Sequence, residues 1–237
     1  MFGFDPMGLL LMAVIFGMGM LGQGYLSSTF GKYSKIRNAK DLTGAEVARD
    51  ILDSHNLQHV RVEATPGHLT DHYDPLSKTV RLSEPNYASP SLAALAVAAH
   101  EVGHAIQDAK LYAPLVMRAR LAGPLGAVAN LGNMALMAGA MMIMVGFGGG
   151  FGTTLLLIGC VGLAALLVFH LVTLPVEFDA SNRALALLEN NGYLSREENA
   201  GARKVLNAAA MTYVIAAVSS ALQLLYYLNM LRGSSDE

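Results

Sequence analysis

The clearest chemistry in this sequence lies in His100-Glu101-Val102-Gly103-His104. On a helix, residues four apart share one face, so the two imidazoles can hold a single metal ion. Zinc suits such a pair, because it accepts nitrogen and oxygen ligands in a tetrahedral site and can keep one position open for water. Glu101 follows the first histidine directly. It can take a proton from a metal-activated water as that water attacks a carbonyl, then deliver it to the leaving amine. The expectation is one zinc per chain, with His100 and His104 as ligands and Glu101 as general base. The plainer alternative is a helix with two surface histidines and a solvated glutamate.

A catalytic zinc needs a third protein ligand. Glu177, in Pro175-Val176-Glu177-Phe178-Asp179-Ala180-Ser181, is the candidate. Its competing reading is an ordinary first-turn glutamate, favourable near a helix N-terminus. The need for a further ligand favours coordination. An oxyanion at the scissile carbonyl also calls for a donor. His72, Tyr73, Arg183 and Tyr213 are candidates, each with a structural alternative: turn residues for the first two, a surface cation for Arg183, an interfacial anchor for Tyr213. His55, His59 and His68 read as surface residues.

These side chains must be positioned by a few elements. Ser89-Pro90 opens a long helix, with Ser89 as N-cap and Pro90 at the first helical position, running to about Lys110. Thr43-Gly44-Ala45-Glu46 has capping-box spacing ahead of an amphipathic helix near 44–56. Val60–Glu63 and Thr79–Leu82 alternate like strands around the loop from Pro66 to Pro75, which predicts a small antiparallel β-hairpin. The strand at Val80–Leu82 could then accept an extended peptide by strand addition. The segment 175–207 holds two helical pieces broken at Asn190-Asn191-Gly192, and Ser195-Arg196-Glu197-Glu198 caps the second.

Four stretches reach the roughly 20 apolar residues needed to cross a bilayer core. They lie near 7–26, 121–145, 151–174 and 208–231, the middle pair forming a hairpin about the glycine-rich turn Gly146–Gly150. No positive charge precedes the first stretch and no cleavage site follows it, so it reads as a retained anchor rather than a signal peptide. Nearly all lysines and arginines fall in the segments 27–120 and 175–207. An even number of crossings puts both segments on one side, and the positive-inside rule makes that side cytoplasmic, with both termini outward. The Met-rich spans read as packing or lipid-facing surface, and their small residues permit close helix packing or oligomerisation.

Composition agrees. Of 237 residues, 53% are hydrophobic and only 14% charged, against roughly 25% charged in an average soluble domain. With a net charge of −2 and no basic block, nucleic-acid binding is not expected. Cys160 is the single cysteine, which excludes an internal disulfide and a cysteine-rich metal site.

Ala99–Gln107, with Glu177-Phe178-Asp179-Ala180-Ser181 downstream, resembles the YugP-like neutral zinc metallopeptidases of bacterial membranes. Asp71-His72-Tyr73-Asp74-Pro75 and Val80-Arg81-Leu82-Ser83 fit the same pattern, so the likeness spans most of the chain. It is similar, more distantly, to HtpX-type membrane peptidases, which carry HExxH, a membrane hairpin and a Glu-x-x-x-Asp motif. The resemblance implies His100, His104 and Glu177 as zinc ligands and Glu101 as general base. Ser181 stands where that motif has Asp. The carboxylate that usually orients a ligand histidine would then come from Asp179 or elsewhere.

The resulting expectation is a mainly α membrane protein, with four spans and a cytoplasmic zincin-like part containing a small β-hairpin, forming one domain over 1–237. It would sit in a bacterial inner membrane, multi-pass, and cleave protein or peptide substrates, membrane-embedded or unfolded, near the inner face. Homo-oligomers or a membrane-protein partner stay open. Intramembrane proteolysis of the site-two type is disfavoured, because Ala93–Ile106, about 14 residues, is short of a span and no Leu-Asp-Gly ligand motif is present. The non-enzymatic alternative is a zinc-binding membrane scaffold or chaperone subunit, which would fill all four zinc positions from protein. A transporter would need charged residues buried within spans, and these are lacking.

Overall fold

The computed structural model describes residues 6–145 and 148–233. It is mainly helical, with a small sheet. In chain order the elements are α1 (Pro6–Tyr33), α2 (Gly44–Ser54), β1 (Arg61–Thr65), β2 (His72–Asp74), β3 (Thr79–Ser83), α3 (Glu84–Ala88), α4 (Leu92–Ala109), α5 (Ala113–Met144), α6 (Thr153–Asn190) and α7 (Arg196–Gly233). Helices α1, α5, α6 and α7 are each long and apolar enough to cross a membrane. The four expected stretches fall on them, but the helices run on well past the apolar runs. Gly146 and Phe147, in the predicted hairpin turn, lie outside the described residues. After them Gly149, with ψ −177, departs from helical geometry.

The chain divides into two compact units. One comprises α1 up to Leu21, Met117–Thr173 and α7 from Tyr213; the other comprises Gly22–Val116 and Leu174–Thr212. Within the first, α5 and α6 meet backbone to backbone: a Cβ placed on Gly132 would stand 2.4 Å from Gly162 Cα. Close approach through small residues is how apolar helices gain packing when lipid offers no hydrophobic incentive.

The second unit holds the apolar core. The capping box at α2 forms as its spacing predicts, Glu46 N–H donating to Thr43 Oγ1 and Thr43 N–H to Glu46 Oε2 at 2.8 Å. Val47, Ala48, Ile51 and Leu52 on the inner face of α2 are fully buried, and α2 packs on α4. The box at Ser195 likewise forms with Glu198. The break after Asn190 is present, Gly192 taking φ +68.

Three expectations are corrected. First, the strands do not make a two-stranded hairpin: the sheet order is β1-β3-β2, with β1 parallel to β3 and β2 antiparallel to it. The chemistry of Asp74 explains why β2 becomes the neighbour. Its carboxylate accepts from Leu76 N–H (2.9 Å) and Ser77 Oγ (2.6 Å), closing a tight turn into β3. The Ser77 and Arg81 hydrogen bonds hold its pKa well below the usual carboxylate range. Between residues 79 and 81, β3 is therefore paired on both sides and offers no edge to a peptide.

Second, α4 is capped by Ser91, whose hydroxyl accepts from Ala94 N–H, rather than by Ser89. Ser89 precedes a proline and is driven to extended ψ of 135. The Pro90 carbonyl is occupied by Asn38, which donates from both its backbone and its side-chain amide. Third, 175–190 is not a separate helix. It continues α6 through Pro175, whose missing N–H removes one backbone bond from the turn. Glu177 therefore lies within a long helix, and the first-turn reading loses its premise.

Two contacts fix how this unit is built. Gly103 on α4 lies against α6 so closely that a Cβ would fall 2.8 Å from the Ala180 carbonyl oxygen. Val176, Ala180 and Ala184 of α6 are fully buried. Asp71, just before β2, accepts from Ser83 N–H (2.7 Å), Ser83 Oγ (3.0 Å) and Asn86 Nδ2 (2.9 Å), tying the loop to β3 and α3. Gly103→Ala should cost about 1–3 kcal/mol through overpacking against backbone that cannot yield. Chemical denaturation in detergent checks this, and an unchanged midpoint would mean the helices part freely. Asp71→Ala strands the buried Ser83 and Asn86 donors and should cost about 2 kcal/mol, read in the same experiment.

Candidate active site

His100 and His104 project from α4, as their spacing requires, and Glu177 reaches them from α6. Glu177 Oε2 lies 3.4 Å from His100 Nε2 and 3.7 Å from His104 Nε2. The two imidazole rings meet edge to face, with centroids 4.7 Å apart. One donor atom from each of the three residues lies within 4.8 Å of the others. Glu177 is nearly fully buried, and the histidines are partly exposed. Glu101, on the same helix, is also buried.

These residues fit zinc on their own geometry. Two donors at about 2.1 Å from a tetrahedral zinc stand roughly 3.4 Å apart; Glu177 lies 3.4 Å from one histidine and 3.7 Å from the other. Among the described residues, the group offers three donors. Three protein ligands are what a site with one open position uses, whereas a structural zinc is enclosed by four.

The outer sides of the rings show how they are held. Gln107, fully buried on α4, donates from Nε2 to the Val176 carbonyl (2.9 Å) and to Asp179 Oδ2 (2.8 Å). Both partners only accept, so the amide orientation is fixed and Oε1 faces His104 Nδ1 at 2.9 Å. His104 Nδ1–H must then donate, which leaves the Nε2 lone pair directed at the shared point. At His100, Nδ1 lies 3.2 Å from Ser181 Oγ. The hydroxyl occupies the place where the resembling motif has a carboxylate. It can orient the ring but adds no negative charge to raise its basicity.

Burial disfavours a charged ring at His104, but the Glu177 carboxylate and the charge of Glu101 outweigh it and raise its pKa. The pocket thus favours positive charge at the point where the donors converge. That preference suits a divalent cation, which needs the imidazoles neutral and takes over their role as the positive partner.

The other candidates from the sequence take different places. Asp179 does not touch a histidine; it accepts from Gln107 and from Arg183, at 2.5 Å from Nε. The Arg183 guanidinium also lies 5.8 Å from the centroid of the Tyr112 ring. Tyr73 donates its phenol to Asp108 Oδ2 at 2.7 Å, and Lys78 donates to the same oxygen at 2.5 Å. The β2–β3 hairpin is thereby strapped to the last turn of α4. Burial and this bond raise the Tyr73 pKa. His72 is exposed and its Nδ1–H donates to the Thr70 carbonyl. Tyr213 is on α7, half-buried, in the other unit. Gln107 went without a role in the sequence reading, although its spacing of three from His104 places it on the same helix face.

Residues 8–232 match the family described as "Putative neutral zinc metallopeptidase". The chain is also 39% identical over 221 residues to a Bacillus subtilis (strain 168) protein named "Putative membrane protease YugP", covering 93% of this chain and 95% of that relative. No solved structure matches it. A match over nearly the whole length, carried by a chain whose two histidines and glutamate converge as a zinc site would need, places the protein in the neutral zinc metallopeptidase family.

Proposed function

We propose that the protein is a membrane-bound zinc endopeptidase in which His100, His104 and Glu177 hold one zinc ion and Glu101 is the general base. The convergence of three donors from α4 and α6, all within 4.8 Å of one another, is the observation that carries this reading. Zinc, when bound, supplies a Lewis acid for the scissile carbonyl and lowers the pKa of the attacking water.

Everything else is work for the chain. Glu101, adjacent to His100 and buried, accepts the proton of the attacking water and returns it to the leaving amine. Gln107 and Ser181 hold the histidine rings so that both Nε2 lone pairs are directed at the point they share with Glu177. Asp179 keeps Gln107 from flipping, and Arg183 anchors Asp179. Of the candidate oxyanion donors, Tyr73 and Arg183 are committed to Asp108 and Asp179, and His72 to a loop carbonyl.

The four apolar helices and the name of the Bacillus relative support a membrane setting. The concentration of lysine and arginine in 27–120 and 175–207 supports a cytoplasmic catalytic side, with membrane-embedded or unfolded proteins at the inner face as substrates. Three protein donors rather than four among the described residues weigh against a zinc-binding scaffold or chaperone subunit.

Elemental analysis of the purified protein should find about one zinc per chain, as a site with three protein ligands requires. His104→Ala and Glu177→Ala should lose it and Glu101→Gln should retain it. Cleavage of a casein-type or membrane substrate should fall by roughly 10²–10⁴-fold in Glu101→Gln; wild-type turnover by that variant would remove Glu101 from the mechanism. Gln107→Leu frees the His104 ring and should weaken zinc binding about 10–100-fold, measured by competition with a chelator. Undiminished affinity would show that helix geometry alone aims the histidine.

A further inference from the structure

Within the second unit, a cavity of about 290 Å³ is lined by Tyr25, Ser28, Thr29, Lys32 and Tyr33 of α1 and by Lys204 of α7. Positions 25, 28, 29 and 32 have the i, i+3, i+4, i+7 spacing of one helix face. Its other wall is close because Gly201 of α7 meets Tyr33: a Cβ there would fall 2.8 Å from Tyr33 Cε1. Lys204 stands three residues on, on the same side of α7. The lining therefore collects two ammonium groups and four hydroxyls with no carboxylate among them.

Lys32 Nζ lies 5.5 Å from the Tyr33 ring centroid, which biases the long side chain toward the cavity. The Ser28 hydroxyl donates to the Tyr25 carbonyl at 3.1 Å, so the charge offered to a ligand comes from the lysines. Thr29 and the tyrosine phenols can add hydrogen bonds. In the sequence, this face of α1 begins where the apolar stretch 7–26 ends. Lys204 comes just before the apolar stretch of α7 begins near 208. Both cations thus flank the ends of apolar stretches, where a helix that crosses a bilayer would meet the headgroup layer.

We infer that this cavity binds a phosphate-bearing anion, with Lys32 and Lys204 as its charged contacts. That chemistry is shared by the headgroup of an anionic phospholipid and by free phosphate. The location at the ends of two apolar stretches makes the lipid the expected source. The inference does not depend on zinc or on peptidase activity.

Full-length protein in detergent is titrated by calorimetry with short-chain phosphatidylglycerol, short-chain phosphatidylcholine and inorganic phosphate in separate arms. Lys32→Gln and Lys204→Gln should each weaken phosphatidylglycerol binding about fivefold, and the double variant roughly thirtyfold. A Lys35→Gln/Lys110→Gln control loses the same charge elsewhere and should keep wild-type affinity. Selective loss of inorganic phosphate binding in the double variant, with phosphatidylglycerol unaffected, assigns the site to the free anion. If neither arm responds more to the double variant than to the control, or phosphatidylcholine binds as tightly as phosphatidylglycerol, the inference is overturned. The thermal unfolding midpoint of every variant, measured in the same detergent, shows whether the fold is intact, so a folding failure is not read as a binding result.

Discussion

The close crossing of α4 and α6 at Gly103 and Ala180 is the constraint on which the site depends. A histidine pair on one helix supplies two donors at a spacing set by the backbone, but the third must come from elsewhere. Glu177 can reach both imidazoles because nothing larger than a hydrogen separates the two backbones at Gly103. Val176, Ala180 and Ala184 keep that face of α6 small, and all are fully buried. Gly103, between the two histidines, is thus a packing residue as much as a spacer. Fixing ligands on two packed helices rather than on loops is how a site keeps its geometry to within a few tenths of an ångström.

Around the donors, the polar groups are arranged so that each has only one workable orientation. Gln107 is buried with two acceptors on its amide nitrogen, so its oxygen has no choice but His104. Asp179 is one of those acceptors, and its own position is set by Arg183. In a low-dielectric interior such a chain is costly to leave half-made and rigid once complete. It carries the ring orientation of His104 outward to an ion pair that is partly solvated. Ser181 does the corresponding task for His100 with a neutral hydroxyl. The two histidines are therefore not equivalent: one is held by a polarised chain, the other by a single weak contact.

Much of this was legible beforehand. The HExxH spacing is a property of one helix, and local periodicity reports local geometry faithfully, so His100 and His104 could be placed on one face, with Glu101 beside them, without any knowledge of the fold. The capping boxes at Thr43 and Ser195 were equally local. The apolar stretches were legible by length, although helices do not stop where hydropathy does: α5 begins at Ala113 and α6 runs on to Asn190. What failed was partner choice. Alternation at 60–63 and 79–82 identifies strands but not neighbours, and a parallel pair between them was hidden behind β2, whose three residues are too few to show a period. The signal that could have exposed it was Asp74 followed by Pro75, Ser77 and Lys78, a turn of the kind that closes a hairpin onto the next strand.

Glu177 shows how a local premise can fail while the residue still arrives beside His100 and His104. Pro175 suggested a helix start, and with it an innocuous role for a first-turn glutamate. The helix instead passes through the proline, and the glutamate sits well inside it. A carboxylate buried at mid-helix gains nothing from the helix dipole, which acts only near the ends, and pays desolvation unless something nearby compensates it. Here the compensation is two imidazole nitrogens at 3.4 and 3.7 Å. Two neutral imidazoles would be a poor counterweight to a buried negative charge, and two protonated ones would repel each other across a 4.7 Å ring separation. One protonated ring, favoured at His104, meets the carboxylate with a single charge. A divalent cation resolves both difficulties at once, since it lets the histidines stay neutral while meeting the carboxylate with full positive charge. The buried carboxylate thus calls for a cationic partner, which a divalent metal or a protonated His104 can supply.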